Sequence, residues 1–350
     1  MAFASVIALL GRLVTLFAVA MLAPAVCALG YGEVRAAGIF AGTAAVTVFF
    51  GIAMVFTTQG AEPRLRRGGD FLLVVLIWPV LAAFAAAPLF LLDVTASFTD
   101  AYFEALSGLT TTGATVLSGL DGELRSVLFW RAWLQWLGGL GTIVLAVSVL
   151  PMLGVGGMQV FQSAMPHGGH ATVEERARRS ALALSWVYAL LTALCAGLLW
   201  AAGMPGFDAV AHALSTLSTG GFTTRDGTLD SFGNPLTEGV LGVFMLAGAL
   251  NITLVWAFFN GRFTAIRDDQ ECHMLLLIIV VAALLAVVTL NQQGGMDAAE
   301  AFRQGLFATV SMITTTGFVN QVVTPWPVML PILFWRSSSS ADRAGRRRAA

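Results

Sequence analysis

The sequence predicts an all-α polytopic membrane protein in which an N-terminal helix pair precedes repeated units of outer helix, re-entrant pore loop and inner helix. Composition is the first observation, since hydrophobic residues make up 57% of the chain and charged residues 11%, whereas a soluble domain carries about 25% charged residues. Apolar runs of spanning length are the second. The third is a polar segment, rich in threonine and glycine, that occurs three times along the chain.

Apolar segments long enough to cross a bilayer, which takes about 20 residues, follow one another along the chain. They fall at roughly 4–28, 36–58, 71–92, 127–151, 181–203, 236–259 and 274–290. The first is longer than the apolar core of a signal peptide and lacks a small-x-small cleavage pattern before Gly30, so we expect a retained span. The three cysteines lie in unrelated contexts and predict neither a disulfide framework nor a metal site.

The repeated polar segment is centred on a glycine. The glycines are Gly113, Gly221 and Gly317. Threonines stand two positions before them, at Thr111, Thr219 and Thr315. Serines stand six positions before them, at Ser107, Ser215 and Ser311. Agreement at several positions in three copies indicates that one structural unit is used three times.

A short amphipathic helix is predicted before each glycine, over 98–109, 206–217 and 298–312. Asp100, Asp208 and Asp297 lie near the starts of these helices, where a carboxylate satisfies free N–H groups and meets the positive end of the helix dipole. About 12 residues cannot cross the membrane, so each helix enters and returns. Non-helical backbone at that depth is tolerated only where it is buried in protein or lines water.

The charges in the loops predict the orientation. Arginines concentrate in the segments 61–69, 166–180 and 261–273, which the positive-inside rule places in the cytoplasm. The loops that carry the glycine motifs lie at the other ends of the spans and are acidic. We therefore expect a cytoplasmic N-terminus and pore loops that face outside, where acidic mouths raise the local cation concentration.

Threonine and glycine in such a loop suit a filter for a dehydrated cation. Backbone carbonyls replace the hydration shell of an alkali ion without adding charge. Glycine adopts positive φ freely, which lets successive carbonyls point the same way, and the negative end of the short helix favours a cation nearby. The alternative is an ordinary interhelical loop that is rich in glycine and threonine, but three copies behind three short helices favour the filter.

These stretches resemble a known family. SGLTTTGATVLSGLD (107–121), STGGFTTRD (218–226) and ITTTGFVNQ (313–321) carry the resemblance, together with LQWLGGLGTIVLAVSVLPMLGVGGMQ (134–159). The chain resembles the Trk/Ktr/HKT superfamily of potassium transporters, and the bacterial Trk-type membrane subunit in particular. The resemblance implies four repeats around a pseudo-fourfold pore, a homodimer, and a cytosolic nucleotide-binding regulatory subunit.

The same resemblance implies potassium uptake across the bacterial cytoplasmic (inner) membrane. The sequence contains no nucleophile–base set and no metal cluster, so we expect a protein that is not an enzyme. We expect no nucleic acid among its partners. The residues that would line the ion path and bind potassium are Thr111, Thr112, Gly113, Thr219, Gly220, Gly221, Thr315, Thr316 and Gly317. Potassium would be the transported ligand, with no cofactor and with membrane lipid around the protein. The sequence leaves open whether the protein selects potassium over sodium, and whether it works as a channel or as a symporter.

The predicted domains are the helix pair and the successive repeats. They cover 1–60 (helix pair), 70–160 (repeat 1), 175–262 (repeat 2), 272–335 (incomplete repeat 3) and 336–350 (basic tail). A fourth repeat does not follow Gly317, so we expect a product truncated before that repeat, with a natural three-repeat protein as the other interpretation. The alternative function is accordingly a non-transporting membrane protein or an assembly partner.

Polar and aromatic residues within or near the spans carry weaker signals. Arg131 and Asn251 lie in predicted inner spans, where contact with the ion and structural bonding to a pore loop are both open. For His212 we favour packing or hydrogen bonding over a proton relay. The stripe Trp130, Trp133 and Trp136 indicates helix packing or an interface belt rather than a cofactor site.

Overall fold

The computed structural model describes residues 2–58, 67–153, 173–226, 234–259, 261–294 and 297–319. Within these ranges the chain is helical apart from turns and short extended segments, and no strand occurs among them. The predicted third inner helix from Trp326 and the basic tail at 336–350 lie outside the described residues. The chain divides into two compact units, residues 1–138 and 139–350.

The first unit contains the N-terminal helices and the first repeat. Its helices are α1 (Ala2–Ala20), α2 (Leu22–Gly30), α3 (Val34–Phe56), α4 (Arg67–Leu91), α5 (Phe98–Leu109) and the start of α6 (Arg125–Leu153), with a 3-10 turn at Leu120–Gly122. Helices α4, α5 and α6 correspond to the predicted outer, re-entrant and inner helices. The predicted domain bounds remain predictions.

Small residues set the crossing of α1 and α3. A Cβ atom added to Gly11 would lie 2.7 Å from the carbonyl oxygen of Gly51, and one added to Gly51 would lie 2.8 Å from the carbonyl oxygen of Gly11. Close backbone approach at small residues is how helices associate in lipid, where the hydrophobic effect does not drive them together. The two glycines therefore fix the N-terminal helix pair.

A proline interrupts the first span. Pro24 has no N–H group and cannot donate to the carbonyl of Ala20, four residues earlier, so α1 ends at Ala20 and α2 begins at Leu22. The indole N–H of Trp133 donates to that carbonyl at 3.1 Å. An exposed carbonyl in hydrocarbon costs several kcal/mol, so Trp133 of α6 offsets the break.

Trp130 packs the same helix against the N-terminal pair. Its ring is fully buried and lies 5.9 Å from the ring of Phe17 and 5.8 Å from that of Phe40. Its N–H donates to the carbonyl of Ala85 in α4 at 3.1 Å. The tryptophan stripe is therefore a helix-packing device, as one of the two sequence interpretations held.

Glu33, in the turn between α2 and α3, caps α6. Its carboxylate accepts from the backbone N–H of Arg125 at 2.7 Å and of Ser126 at 3.1 Å, and from the hydroxyl of Ser126. These N–H groups have no partner within the helix, and a carboxylate also favours the positive end of the helix dipole. The N-terminal pair thus holds the first inner helix at its start.

The second unit contains the second repeat and the described part of the third. After the last part of α6, its helices are α7 (Val173–Ala201), α8 (Gly206–Leu217), α9 (Pro235–Ala249), α10 (Ile252–Phe259), α11 (Phe263–Asp268), α12 (Gln270–Gly294) and α13 (Ala298–Ile313). The outer and re-entrant helices of repeat 2 are α7 and α8. Those of repeat 3 are α12 and α13.

The second inner span is broken, which corrects the prediction of one span over 236–259. Helix α9 ends at Ala249, Leu250 is extended with φ −70° and ψ 151°, and α10 begins at Ile252. The carbonyl of Asn251 accepts from the N–H of Leu254 at 2.8 Å, so Asn251 starts the next helix. The apolar run hides the break because apolarity reports burial and not backbone continuity.

Among the described residues, five helical segments are long and apolar enough to cross a membrane, judged by length and composition. They are Phe3–Gly30, Val34–Phe56, Phe71–Leu91, Arg178–Ala201 and Gln270–Val288. Each coincides with a predicted span. The predicted span 127–151 lies within the 29-residue α6, which carries buried Arg131 and Gln135 and is not among the five.

Candidate functional site

The three re-entrant helices form where the sequence predicts them. Helices α5 and α8 have the predicted bounds, and α13 ends at Ile313, one residue beyond the prediction. At the start of α5, the hydroxyl of Ser97 accepts from the N–H of Asp100 at 3.1 Å. At the start of α13, the carboxylate of Asp297 accepts from the N–H of Ala298 at 2.9 Å. Both are N-caps that satisfy N–H groups lacking a helical partner.

The C-terminal ends of these helices share one hydrogen-bond pattern. In each, the residue two positions past the last helical residue donates to the carbonyl three residues back. The pairs are Thr111 to Gly108 (3.0 Å), Thr219 to Thr216 (3.0 Å) and Thr315 to Met312 (3.2 Å). The next residue donates five residues back, at 2.9 Å in each repeat: Thr112 to Ser107, Gly220 to Ser215 and Thr316 to Ser311. This is the Schellman motif, which satisfies carbonyls at a helix end.

Threonine occupies the position of this motif that glycine usually fills. The φ angles of Thr111, Thr219 and Thr315 are 54°, 52° and 61°. A β-branched residue rarely adopts this left-handed conformation, and a non-glycine residue there costs about 1–3 kcal/mol unless its surroundings enforce it. The predicted filter glycines, two residues later, are also left-handed, with φ 76° at Gly113 and Gly221 and 79° at Gly317.

Side-chain hydroxyls add bonds at the same helix ends. Thr110, Ser218 and Thr314 each donate to the carbonyl four residues earlier, at 2.8, 2.9 and 2.8 Å. The hydroxyls of Thr110 and Thr112 are 2.7 Å apart, and those of Thr314 and Thr316 are 2.9 Å apart. Repeat 2 has Gly220 at the equivalent position and cannot make this side-chain pair.

An inner-helix glycine packs against the end of the re-entrant helix in both complete repeats. In the first unit, a Cβ on Gly138 would meet the carbonyl of Leu109, with the carbonyl carbon at 2.8 Å. In the second unit, a Cβ on Gly248 would lie 2.9 Å from the carbonyl oxygen of Leu217 and 3.3 Å from Cγ2 of Thr219. These glycines let the two inner helices approach the backbone that leads into the predicted filter segments.

Two of the predicted filter segments touch within the second unit. A Cβ on Gly221 would meet the carbonyl oxygen of Thr316, with the carbonyl carbon at 3.0 Å and the carbonyl carbon of Gly317 at 3.7 Å. The predicted residues of repeats 2 and 3 are thus brought together backbone to backbone. The predicted residues of repeat 1, Thr111 to Gly113, lie in the first unit.

A buried ion pair holds the chain that follows the first predicted filter segment. Glu104 of α5 and Arg131 of α6 are each 1% exposed, with Nε 2.8 Å from Oε1. The Glu104 carboxylate also accepts from the hydroxyl of Thr115 at 2.9 Å and from the N–H of Val116 at 3.0 Å. The Arg131 guanidinium donates to Thr115 at 3.1 Å. Arg131 therefore forms hydrogen bonds with the pore loop, which is one of the two roles that the sequence leaves open for it.

Repeat 2 has a related arrangement built from other positions. The carboxylate of Asp208, which is 2% exposed, accepts from the hydroxyl of Thr224 at 2.7 Å. The guanidinium of Arg225 lies 3.3 Å from the same carboxylate. In both units a buried acid on the re-entrant helix thus binds a threonine and an arginine beyond the filter glycine. The sequence predicts a place among the acidic loop residues for both Glu104 and Asp208, and a capping role for Asp208. The capping prediction is wrong, because α8 begins after Pro205 with no side-chain cap hydrogen bond.

His212 of α8 is fully packed in the second unit. Its Nδ1 lies 2.8 Å from the carbonyl oxygen of Asp208. Since a carbonyl oxygen only accepts, Nδ1 carries the proton that is donated. The ring also lies 5.8 Å from that of Phe318 in repeat 3. Packing and hydrogen bonding, the roles favoured from sequence, account for this residue.

The sequence and the structure are similar to known transport proteins. Residues 38–333 match the TrkH family, described as cation transport proteins. The Trk system potassium uptake protein TrkH of Vibrio parahaemolyticus is 40% identical, over 99% of this chain and 72% of its own length. TrkG of Escherichia coli K12 is 35% identical over 94% of this chain and 68% of its own length. The crystal structure of the potassium transporter TrkH from Vibrio parahaemolyticus has a TM-score of 0.86 and 39% identity, covering 96% of this chain and 70% of that chain.

These similarities confirm the fold class and the family resemblance. They identify a transport protein rather than an enzyme, and with the apolar helices they indicate a multi-pass protein of the inner membrane. The chain belongs to the TrkH family of cation transport proteins.

Proposed function

We propose that the protein takes up potassium through a filter of backbone carbonyl groups. Relatives named as Trk system potassium uptake proteins support potassium as the cargo. The proposed filter consists of the nine residues 111–113, 219–221 and 315–317, none of which carries a charged side chain. Potassium is the ligand, and the proposal includes no cofactor.

The repeated backbone conformation carries the proposal. In each repeat φ is positive at the threonine and at the glycine two residues later, but not at the residue between them. Alternating handedness turns neighbouring peptide groups so that N–H groups lie on one side of the chain and carbonyl oxygens on the other. A row of aligned carbonyls is what replaces the hydration shell of potassium in carbonyl filters.

The helix ends support a cation at these segments. Each filter segment follows directly on the C-terminus of a helix, where the dipole contributes roughly half a negative charge. The inner-helix glycines Gly138 and Gly248 allow close packing against the ends of α5 and α8. The same backbone that ends the helix therefore also starts the filter.

Orientation and partners complete the proposal. We place the N-terminus in the cytoplasm and the filter segments toward the outside, because the arginine-rich loops and the acidic loops lie at opposite ends of the spans. A homodimer, with a cytosolic nucleotide-binding regulatory subunit, follows from the family that the chain resembles. Coupling to another ion is left open.

The test compares two glycines of the same loop. Gly113 (φ 76°) lies in the proposed filter, and Gly119 (φ 81°) lies six residues later with open space around it. Both Gly→Ala substitutions place alanine at positive φ, which costs about 1–3 kcal/mol. In a bacterium deficient in potassium uptake, we expect Gly113→Ala to lower the initial rate of rubidium uptake about tenfold or more, and Gly119→Ala to change it less than about twofold.

Equal effects of the two substitutions would contradict the filter at Gly113. A wild-type chain that is inserted in the membrane but gives no rubidium uptake would contradict potassium uptake. That result would favour the alternative, a non-transporting membrane protein or an assembly partner. Membrane insertion is checked by fractionation, so that loss of protein and loss of uptake are distinguished.

A further inference from the structure

The second repeat lacks a side-chain bond that the other two repeats form at the predicted filter segment. In repeats 1 and 3, the threonine three residues before the predicted filter glycine pairs with the threonine directly before that glycine. These pairs are Thr110 with Thr112, at 2.7 Å between the hydroxyl oxygens, and Thr314 with Thr316, at 2.9 Å. The equivalent residues of repeat 2 are Ser218 and Gly220. Since glycine has no side chain, Ser218 cannot form this pair.

A tyrosine from the outer helix of repeat 2 reaches the same serine. The hydroxyl of Tyr188 in α7 is hydrogen-bonded to the side chain of Ser218. A Cβ atom added to Gly139, in the last part of α6, would lie 2.6 Å from the tyrosine oxygen and 3.2 Å from Cβ of Ser218. Tyr188 is 2% exposed. Its hydroxyl is therefore enclosed where α6 and α7 meet the end of α8.

The distribution of tyrosine among the outer helices matches that of the missing threonine. Helices α4 and α12, the outer helices of repeats 1 and 3, contain no tyrosine. In all three repeats the residue that is bound is the C-cap of the re-entrant helix, and its own hydroxyl donates to the carbonyl four residues earlier. The second hydroxyl at this cap comes from the predicted filter segment in repeats 1 and 3, and from the outer helix in repeat 2.

The cap residue directly precedes the strained threonine of the repeat. Thr219 has φ 52°, a conformation that a β-branched residue holds only where its surroundings enforce it. A hydrogen bond that fixes Ser218 restrains the peptide group between the two residues, and so limits the ways in which Thr219 can leave this conformation. Repeat 2 thus obtains from Tyr188 a restraint that the other two repeats contain in their own segments.

We propose that Tyr188 is a positioning residue for cation binding in repeat 2, where its hydroxyl replaces the threonine that the repeat lacks at position 220. The inference rests on the proposed filter function. Without the hydroxyl, the segment from Ser218 to Gly221 samples more backbone conformations. A less ordered segment binds a cation more weakly, because binding must then also supply the free energy of ordering it.

The test is a double-mutant cycle that is read out by rubidium uptake. In a bacterium deficient in potassium uptake, KM and the maximal initial rate are measured for wild type and Tyr188→Phe, each also combined with Gly220→Thr or Gly220→Val. The φ angle of Gly220 is not positive, and its N–H donates five residues back, as those of Thr112 and Thr316 do. Its backbone therefore accepts a β-branched residue. Threonine and valine have the same shape, but only threonine supplies a hydroxyl.

We expect Tyr188→Phe to raise KM for rubidium about fivefold, which is equivalent to the loss of one ordinary hydrogen bond. In the Gly220→Thr background the same substitution should raise KM less than about twofold, because the introduced hydroxyl can bind Ser218 as in the other repeats. In the Gly220→Val background the full increase should persist. A merely structural role would lower the maximal rate through loss of inserted protein, without this dependence of KM on the hydroxyl at position 220.

Tyr102→Phe is the matched control. The hydroxyl of Tyr102 donates to the carbonyl of Pro79 at 3.3 Å, away from the predicted filter segment, so this substitution should change KM less than about twofold. If Tyr188→Phe has no larger effect than Tyr102→Phe, the inference fails and the proposed function stands. The same holds if Gly220→Thr and Gly220→Val alter the effect of Tyr188→Phe equally.

The remaining outcomes also decide the question. If the wild type is inserted in the membrane but takes up no rubidium, the proposed function fails and the inference with it. If the Gly220 variants are inactive, Tyr188→Phe is combined with Ser218→Ala, and effects on KM that multiply overturn the inference, since one shared bond is lost only once. If Tyr188→Phe is not inserted, Ser218→Ala alone decides: a raised KM supports the inference and an unchanged KM overturns it.

Discussion

Removal of Arg131 alone should destabilise the protein strongly. Arg131 and Glu104 are both 1% exposed and form a direct contact of 2.8 Å. Arg131→Met keeps the length and apolar volume of the side chain but leaves the Glu104 carboxylate without its cation. Removing one partner of a buried ion pair costs about 3–5 kcal/mol, because the remaining charge is desolvated and uncompensated. We expect a loss in that range in the free energy of unfolding.

Neutralising both partners should cost less than removing the arginine. In the double variant Glu104→Gln with Arg131→Met, the amide oxygen introduced at position 104 can still accept from Thr115 or from the N–H of Val116, which Glu104 binds at 2.9 and 3.0 Å. What is lost is then about one hydrogen bond to a charged group, about 1.5–3 kcal/mol. The second substitution should therefore recover roughly 1–3 kcal/mol of the loss.

The assay is denaturant titration of the purified protein in detergent micelles, for the wild type, both single variants and the double variant. Arg35→Met is the control, since Arg35 pairs with Asp93 at a similar 2.9 Å but with side chains 72% and 78% exposed. Exposed pairs contribute about 0–1 kcal/mol. The control therefore distinguishes the stability lost with an exposed arginine from the stability lost with a buried one.

Two results would refute this reasoning. If Arg131→Met costs no more than Arg35→Met, burial of the pair does not set its energy. If the double variant loses as much as the two single variants combined, Glu104 and Arg131 act independently. The Glu104–Arg131 pair would then not explain the position of Thr115.

Two further predictions concern the filter glycines and the cap of α6. The side chain of Gly221→Ala would meet the Thr316 carbonyl, whereas that of Gly317→Ala would enter open space. Because φ is similar at the two positions, Gly221→Ala should lower the free energy of unfolding in detergent by about 1–3 kcal/mol more than Gly317→Ala does. Equal losses would contradict the close approach at Gly221. Glu33→Gln removes the charge that caps α6 and should cost about 1 kcal/mol, while Asp93→Asn, at an exposed pair, should cost less in the same measurement. A larger loss for Asp93→Asn would argue against the cap.

The re-entrant helices were predictable because three copies constrain one another. A single Thr-Thr-Thr-Gly run fits many loops, but the shared spacing of serine, threonine and glycine located the helix ends within one residue. The helix starts were predicted correctly in one case of three, since Asp297 is the N-cap of α13. Ser97 and not Asp100 caps α5, and α8 begins after Pro205 without a side-chain cap hydrogen bond. Local sequence therefore determined the elements whose stabilising contacts are themselves local.

Contacts between distant parts of the chain were not predictable. Arg131 and Glu104 are 27 residues apart, and no repeat pattern links them, because the corresponding contacts of repeat 2 use Asp208 and Thr224 at other positions relative to the glycine. The sequence signal for this contact was an acidic residue inside an otherwise apolar re-entrant helix. The break at Leu250 was hidden for a similar reason, since it lies next to Gly248, whose contact with the end of α8 is tertiary.

The choice of threonine at the left-handed position of each filter segment has a structural explanation. Glycine would adopt this conformation without strain but would also leave the segment free to adopt others, since it loses more entropy on ordering. Threonine is disfavoured there by itself, so the two hydrogen bonds of each helix end and contacts such as Cγ2 of Thr219 beside Gly248 must enforce it. A strained threonine that is held by the hydrogen bonds of its own helix end has few other backbone conformations available. Its carbonyl direction is therefore set by the protein, as the proposed filter requires.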